Sequence, residues 1–321
     1  MKVIITGGAG YIGSHVVLAA LDRGWDVTVF DNLSTANKNN INKKTNFVKG
    51  SINSKDDLSK LFTNNKYDAV IHLAASKASG ESMLNPKKYT YNNIIGSLNV
   101  LMSCIDHGVK FFIFSSSAAV YGSPRYHPID EFHPLKPLNY YGYTKLSTEN
   151  SLEWFSKIHG LKYASLRYFN AAGFDVNKRI LGKEKNTENL IPIIMEVAKG
   201  NKPFIPIYGK DYSTKDGTGV RDYIHVTDLA VAHLCALEYL RKDSKNLILN
   251  LGSETGFSVL EILEKTKHIL NIDIPYKIEE RRKGDVAKVV ASCSLAKDVL
   301  KWEKKYSSLE ILIKSTWDIY N

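Results

Sequence analysis

Tyr141 and Lys145 stand four residues apart in Tyr141-Gly-Tyr-Thr-Lys145. On a helix that spacing brings both side chains to one face. A free phenol ionises near pH ~10 and is a weak base at neutral pH. An ammonium beside it stabilises the phenolate and lowers that value, so the pair reads as a proton-transfer couple. Neighbouring Tyr140 and Tyr143 have no lysine four residues on. Upstream, Ser115-Ser-Ser-Ala-Ala-Val-Tyr-Gly122 follows an apolar run. A hydroxyl there can hold a substrate hydroxyl beside the phenolate, and Ser117 is the candidate.

A second chemistry-bearing pattern opens the chain. Thr6-Gly-Gly-Ala-Gly-Tyr-Ile-Gly13 places Gly7, Gly10 and Gly13 at three-residue intervals between a strand pattern and a helix pattern. Missing Cβ atoms let a pyrophosphate approach the backbone, and a helix N-terminus supplies N–H groups and partial positive charge. Asp31 ends the second strand pattern, where a carboxylate accepts from the adenosine ribose hydroxyls. It also repels a 2′-phosphate, so NAD is expected rather than NADP.

These residues need a frame in which strand ends meet. Short apolar runs at Val3–Thr6, Asp26–Phe30, Asn46–Val48, Asp68–Leu73, Lys110–Ser115 and Tyr163–Tyr168 alternate with helical spacing at Tyr11–Arg23, Lys55–Phe62, Asn85–His107 and from Tyr141. That alternation predicts an α/β fold with a doubly wound parallel sheet, its ligand crevice at the carboxyl ends of the strands. After Asn170 the rhythm changes to Pro- and Gly-punctuated segments. We therefore expect a dinucleotide-binding domain over 1–170, with strands returning to it from later segments, and a smaller α/β substrate lobe over 171–321.

Composition narrows the class. The chain has 321 residues, 44% of them hydrophobic, as in a globular protein. No apolar run is long enough to span a bilayer, and the N-terminus reads as a first strand rather than a signal peptide. A cytoplasmic protein is expected, with no membrane partner. The net charge of +10 is dispersed and no nucleic-acid motif accompanies it, so anionic small molecules are the expected partners. Cys104, Cys235 and Cys293 form no CxxC pair, so neither a metal site nor a disulfide framework is suggested. His72 and His225 lie in strand-like runs and read as packing residues.

Taken together, these motifs resemble the extended short-chain dehydrogenase/reductase superfamily and, within it, the UDP-galactose 4-epimerases. The resemblance covers nearly the whole chain: TGGAGYIGSH, DNLS, HLAASKASGES, FIFSSSAAVYG, YYGYTKL and LRYFNAAG, then DYSTKDGTGVRDYIHVTDLA and RRKGD. It implies reversible C4 epimerisation of a UDP-hexose through a transient 4-keto sugar. Tyr141 would be base and acid, aided by Ser117 and tuned by Lys145. The glycines, Tyr11, Ile12, Asp31, Asn32, Ser51, Ile52, Leu73, Ala74, Ala75, Lys77, Asn93 and Ser115, with Tyr141 and Lys145, would line the NAD site. Ser117, Asn170, Asn189, Tyr208, Arg221, Arg282, Asp285 and Val289 would meet the UDP-sugar. A bidentate guanidinium suits diphosphate oxygens, which supports both arginines.

The chain departs from that family at three places. Ser51 stands where an Asp is usual, Ala171-Ala172 where Pro is frequent, and the segment 174–185 differs from the usual loop. The resemblance also implies a homodimer through helices near Asn85–His107 and Tyr141–Lys157. A sugar-nucleotide 4,6-dehydratase is the nearest rival, but Ala118-Ala119 follow Ser117 where that reaction needs carboxylates. A catalytically dead NAD sensor would not be expected to keep the YxxxK pair.

Overall fold

Val3, Ile4 and Ile5 are wholly buried because β1 (Lys2–Thr6) is an interior strand covered on both faces. The computed structural model describes residues 1–63, 65–184, 189–282 and 284–321. Lys185 of the divergent segment and Lys283 of RRKGD lie outside the described residues. Chain order continues through α1 (Tyr11–Asp22), β2 (Asp26–Asp31), β3 (Asn46–Lys49), α2 (Lys55–Thr63) and β4 (Ala69–His72). Next come α3 (Ser79–Leu84), α4 (Pro86–Tyr89), a π turn at Thr90–Ile95, α5 (Gly96–Asp106), β5 (Phe111–Ser117), α6 (Tyr140–His159) and β6 (Lys162–Tyr168).

The strands form an all-parallel sheet in the order β10-β6-β5-β4-β1-β2-β3, where β10 is Leu247–Leu251. Such strands are apolar on both faces, which is why they read as continuous apolar runs. Ile5, Val27 and Val29 pack with α1 and with α8 (Val226–Asp243). Ile4, Val70 and Phe112 face the other way, onto Leu58 of α2, Leu101 of α5 and Leu152 of α6. The doubly wound, Rossmann-type sheet expected from the alternation is present. Strand order reverses beside β1, so the carboxyl ends of β1, β4 and β5 flank one crevice.

Two local expectations are corrected. The strand expected to stop at Ser115 runs on to Ser117, because Ser115, Ser116 and Ser117 pair with Leu166, Arg167 and Tyr168 of β6. The single helix expected over Asn85–His107 carries the π turn, which rotates Asn93 into the interior.

The rest of the chain forms a second layer. β7 (Asn170–Ala172), β9 (Val220–His225), β11 (Gly256–Ser258) and β13 (Lys288–Val289) make a small mixed sheet around β9. β8 (Ile205–Tyr208) pairs with β12 (Tyr276–Glu279). α7 (Leu190–Ala198), α9 (Val259–Leu270) and α11 (Leu309–Tyr320) close a core of Ile194, Met195, Ile262 and Leu312. α10 (Ser294–Leu300) packs on α8 and β10. Among the described residues no helix is long and apolar enough to cross a membrane.

Candidate active site

The glycine loop is shaped by close approach. A Cβ on Gly13 would lie 2.1 Å from the Gly7 carbonyl oxygen, so α1 packs against its own loop only with glycine there. Gly10 is the N-cap and has no side chain to cap the first-turn N–H groups, leaving them suited to an anion. Asp31 is nearly buried; its carboxylate accepts from Ala9 N at 3.1 Å and Leu33 N at 2.8 Å. Burial raises its pKa and those two N–H groups oppose the rise. These residues fit a dinucleotide.

The flanking residues are accounted for in turn. Tyr11 donates its hydroxyl to the Gly173 carbonyl at 2.5 Å, and Ile12 is half-buried beside it. Asn32 is exposed and accepts from Ser34 N. Ser51 accepts from Asn53 N at 3.2 Å, so its hydroxyl serves a local turn, while Ile52 is buried. Leu73, Ala74 and Ala75 leave β4 along the crevice, and Ala74 N donates to the Thr6 hydroxyl. Asn93 grips the next residue: its Oδ1 accepts from Ser76 N at 2.8 Å and its Nδ2 donates to Ser76 O at 2.9 Å. The same Nδ2 donates to Thr144, between Tyr141 and Lys145. Lys77 pairs with Glu184 at 2.6 Å.

Asn139 caps α6 by accepting from Gly142 N. A Cβ on Gly142 would lie 2.4 Å from the Ala119 carbonyl oxygen, so glycine lets α6 press against the turn after β5. That approach brings the Tyr141 phenol close enough to Ser117 for the serine hydroxyl to favour the phenolate. Lys145 shares the face, its Nζ 5.8 Å from the Tyr141 ring centroid and 4.9 Å from that of Phe114. It donates to the Ser115 carbonyl at 2.7 Å and is only 4% exposed.

Lys145 and the positive nicotinamide of bound NAD are together expected to lower the Tyr141 pKa. Within the protein itself burial raises the phenol, and the Ser117 hydroxyl opposes the rise. Burial also depresses Lys145 to about 7, against the support of Glu149, so the lysine is a weakened cation in this protein. The three serines divide by the alternation of a strand. Ser115 meets His233 at 3.1 Å, Ser116 donates to Glu149 at 2.5 Å, and Ser117 is left for Tyr141.

Residues of the second lobe gather around β9. Arg221 lies in register with Val289 of β13 and Phe257 of β11. Arg282 bonds Asp285 at 3.1 Å and lies 4.6 Å over the Tyr208 ring. Arg281, not singled out from sequence, lies 4.0 Å over Tyr212, whose phenol feels Asp285, Arg221, Arg281 and Arg282 together. The doubled arginine of RRKGD was the available signal. Asn170 donates to the Asp222 carbonyl at 3.0 Å. Asn189 immediately precedes α7 and, with Tyr11, Gly173 and Glu184, lines a small cavity. His72 is buried between Thr6 and Ser97, and His225 accepts from Thr227 N at the start of α8; both are structural. Cys104 and Cys293 are buried, whereas Cys235 is half-buried against Arg23.

Residues 3–252 match the model of the NAD dependent epimerase/dehydratase family. The chain belongs to that family. A UDP-glucose 4-epimerase of Halalkalibacterium halodurans is 45% identical to it over 318 residues, 99% of this chain and 95% of that protein. The crystal structure of UDP-glucose 4-epimerase from Brucella ovis in complex with NAD is 38% identical, with a TM-score of 0.96, covering 99% of this chain and 98% of that one. The UDP-Glc/GlcNAc 4-epimerase from Campylobacter jejuni is also 38% identical, with a TM-score of 0.87 over 99% and 98% of the two chains. The resemblance read from the motifs is borne out.

Two features of this family member escaped the sequence reading. Glu149 and Arg167 are buried beneath Ser116, and Glu184 reaches Lys77 from more than a hundred residues away. Glu149 had a signal, standing one turn beyond Lys145 on the same helix face. Glu184 had none, because its partner is set by tertiary structure alone.

Proposed function

We propose that this chain is an NAD-dependent UDP-hexose 4-epimerase, interconverting UDP-glucose and UDP-galactose through a 4-keto sugar. The observation that carries the reading is Tyr141, set near Ser117 and sharing a helix face with Lys145, in a fold whose parallel sheet also carries a glycine loop suited to a dinucleotide. The names of the relatives support it. Gly7, Gly10, Tyr11, Ile12 and Gly13 would hold the pyrophosphate and Asp31 the adenosine ribose, favouring NAD over NADP. Lys77, Asn93 and Lys145 would border the rest of the cofactor. Bound NAD supplies a hydride acceptor for C4 that gives the hydride back, so no net oxidation results.

Ser117 orients the O4 hydroxyl and Tyr141 takes its proton as the C4 carbonyl forms. The 4-keto sugar turns over in the crevice, and Tyr141 returns the proton to O4 when the other face of C4 is reduced. Arg221 and Arg282 would bind the diphosphate, Asp285 the uridine ribose and Tyr208 the uracil side, with Asn170 and Asn189 on the UDP-sugar. Within this reading, residues 1–170 form the NAD-binding part and 171–321 mainly the UDP-sugar lobe. Val289 leaves room for an acetamido group, so the N-acetylhexosamine pair is also a substrate. We place the enzyme in the cytoplasm as a homodimer. Exposed Tyr91, Ile95 and Met102 on the π turn and α5, with Trp154 and Ile158 on α6, support a helical interface.

The test is incubation of purified protein with UDP-glucose, UDP-galactose and their N-acetyl forms, followed by product chromatography. C4 epimers are expected without added NAD. A 4-keto-6-deoxy product, or no conversion of any substrate, overturns the reading.

A further inference from the structure

Ile180–Glu184 runs between the two loops that flank the glycine loop. At one end Asn40, from the loop after β2, grips Gly182 on both sides: Gly182 N donates to Asn40 Oδ1 at 2.9 Å and Asn40 Nδ2 donates to Gly182 O at 3.1 Å. The same Nδ2 lies 3.4 Å from the Ala9 carbonyl in the glycine loop, and Asn37 Nδ2 lies 3.5 Å from Lys183 O. A Cβ on Gly182 would sit 2.1 Å from Asn40 Oδ1, so this anchor needs glycine. At the other end, both oxygens of Glu184 lie 2.6 Å from Nζ of Lys77, in the loop after β4. Tyr11, the first residue of α1, lines a small cavity with Glu184 and lies within the field of its charge.

We propose that Ile180–Glu184 is a strap across the dinucleotide groove and that the Lys77–Glu184 ion pair is its latch, so that NAD leaves only when the pair opens. This rests on the cofactor assignment above. The latch joins the loop after β4 to a segment held on the β2 side, bridging the two walls of the crevice. The pair is half-exposed, with side-chain exposures of 55% for Lys77 and 20% for Glu184, so salt screens it. Glu184 is thus a positioning residue that acts through Lys77.

The experiment measures NAD release from holoprotein diluted into an enzyme trap that consumes free NAD. Glu184→Gln should speed release about two- to fivefold, the worth of a partly exposed ion pair. Gly182→Ala, at the opposite anchor, should speed it at least as much. Wild-type release should quicken with added sodium chloride, and Glu184→Gln should lose most of that dependence. Wild-type release rates in both variants, or slower release from Glu184→Gln because Lys77 is freed for the cofactor, overturn the latch. Wild-type protein that binds no NAD at all overturns the cofactor assignment instead, which separates the two failures.

Discussion

Glu149 and Arg167 form a two-pronged ion pair beneath the reacting side chains, with Nη2–Oε2 at 2.6 Å and Nε–Oε1 at 3.0 Å. Neither residue is more than 4% exposed. Glu149 also accepts from Ser116, and Arg167 Nη1 donates to the Tyr121 hydroxyl, which donates in turn to Asn250. The network thereby ties α6, β5, β6 and β10 together at the edge that carries Ser115 and Ser117. Breaking a buried pair leaves an uncompensated charge, at a cost of about 3–5 kcal/mol. Arg167→Met should therefore lower unfolding stability by that amount. The double variant Arg167→Met with Glu149→Gln should recover part of it. Urea denaturation checks both, and a single variant as stable as wild type would remove the pair from the frame.

Tyr141→Phe removes the proton acceptor and keeps the ring. Turnover should fall by about 10² to 10⁴, the usual worth of a positioned general base. UDP affinity should largely hold, since the ring is kept. Steady-state rates beside calorimetric UDP binding make the comparison, and near-normal turnover sinks the assignment.

Lys145 predicts a pH dependence of stability. Its folded pKa is about 7, depressed from 10.5 by burial. Between those values the unfolded chain binds the proton that the folded chain has released, so stability from this group rises with pH. Below about 7 both states are protonated and the burial penalty is fully present. The stability of wild type minus that of Lys145→Met should consequently increase from pH 7 toward pH 10. Urea midpoints for both proteins across that range test the sign. A difference that is flat or falls with pH contradicts it.

The site was legible where the requirement is local. Gly13 is demanded by the turn it sits in, and Tyr141 and Lys145 by one turn of helix, so spacing alone places them. Ser116 and Ser117 fall beyond the strand expected from sequence, because a run of serines does not look like a strand. Their strand character comes from pairing with β6, which no local window contains. The π turn at Thr90–Ile95 was invisible for a related reason. Its extra residue turns Asn93 inward to Ser76 and Thr144, partners supplied by other elements. Spacing reports the proximity of Tyr141 to Lys145, but not the burial that raises the phenol and depresses the lysine.

Arg221 separates the two ligands of the proposed reaction. It lies in β9, in register with Val289, which is also assigned to the UDP-sugar. Arg221→Ala should weaken UDP binding by about 2–5 kcal/mol, as when one partner of a desolvated charge pair is lost. NAD content should be unchanged. Titration of UDP into the variant, with absorbance of the released cofactor, checks both arms. Loss of NAD with UDP affinity intact would mean that the arginine serves the other ligand.

Val289 carries the prediction of substrate breadth. It lies in β13, in register with Arg221, at the place where the family resemblance puts a residue against the C2 substituent of the sugar. Its side chain ends at two methyl groups, and it is only partly buried against the core. Valine is smaller than a tyrosine ring, and the C. jejuni relative is named for both UDP-Glc and UDP-GlcNAc. Val289→Tyr would place a ring there, and overpacking a formed site typically costs about 1–3 kcal/mol. Because the plain hexose presents only a hydroxyl at C2, the cost should fall mainly on the N-acetyl pair. The ratio of kcat/KM for UDP-GlcNAc to that for UDP-glucose should accordingly drop by about 10- to 200-fold in the variant. A ratio that does not move, or a wild type inert toward UDP-GlcNAc, removes Val289 as the determinant and leaves the epimerase reading intact, since Tyr141 and Ser117 act at C4 whatever C2 carries.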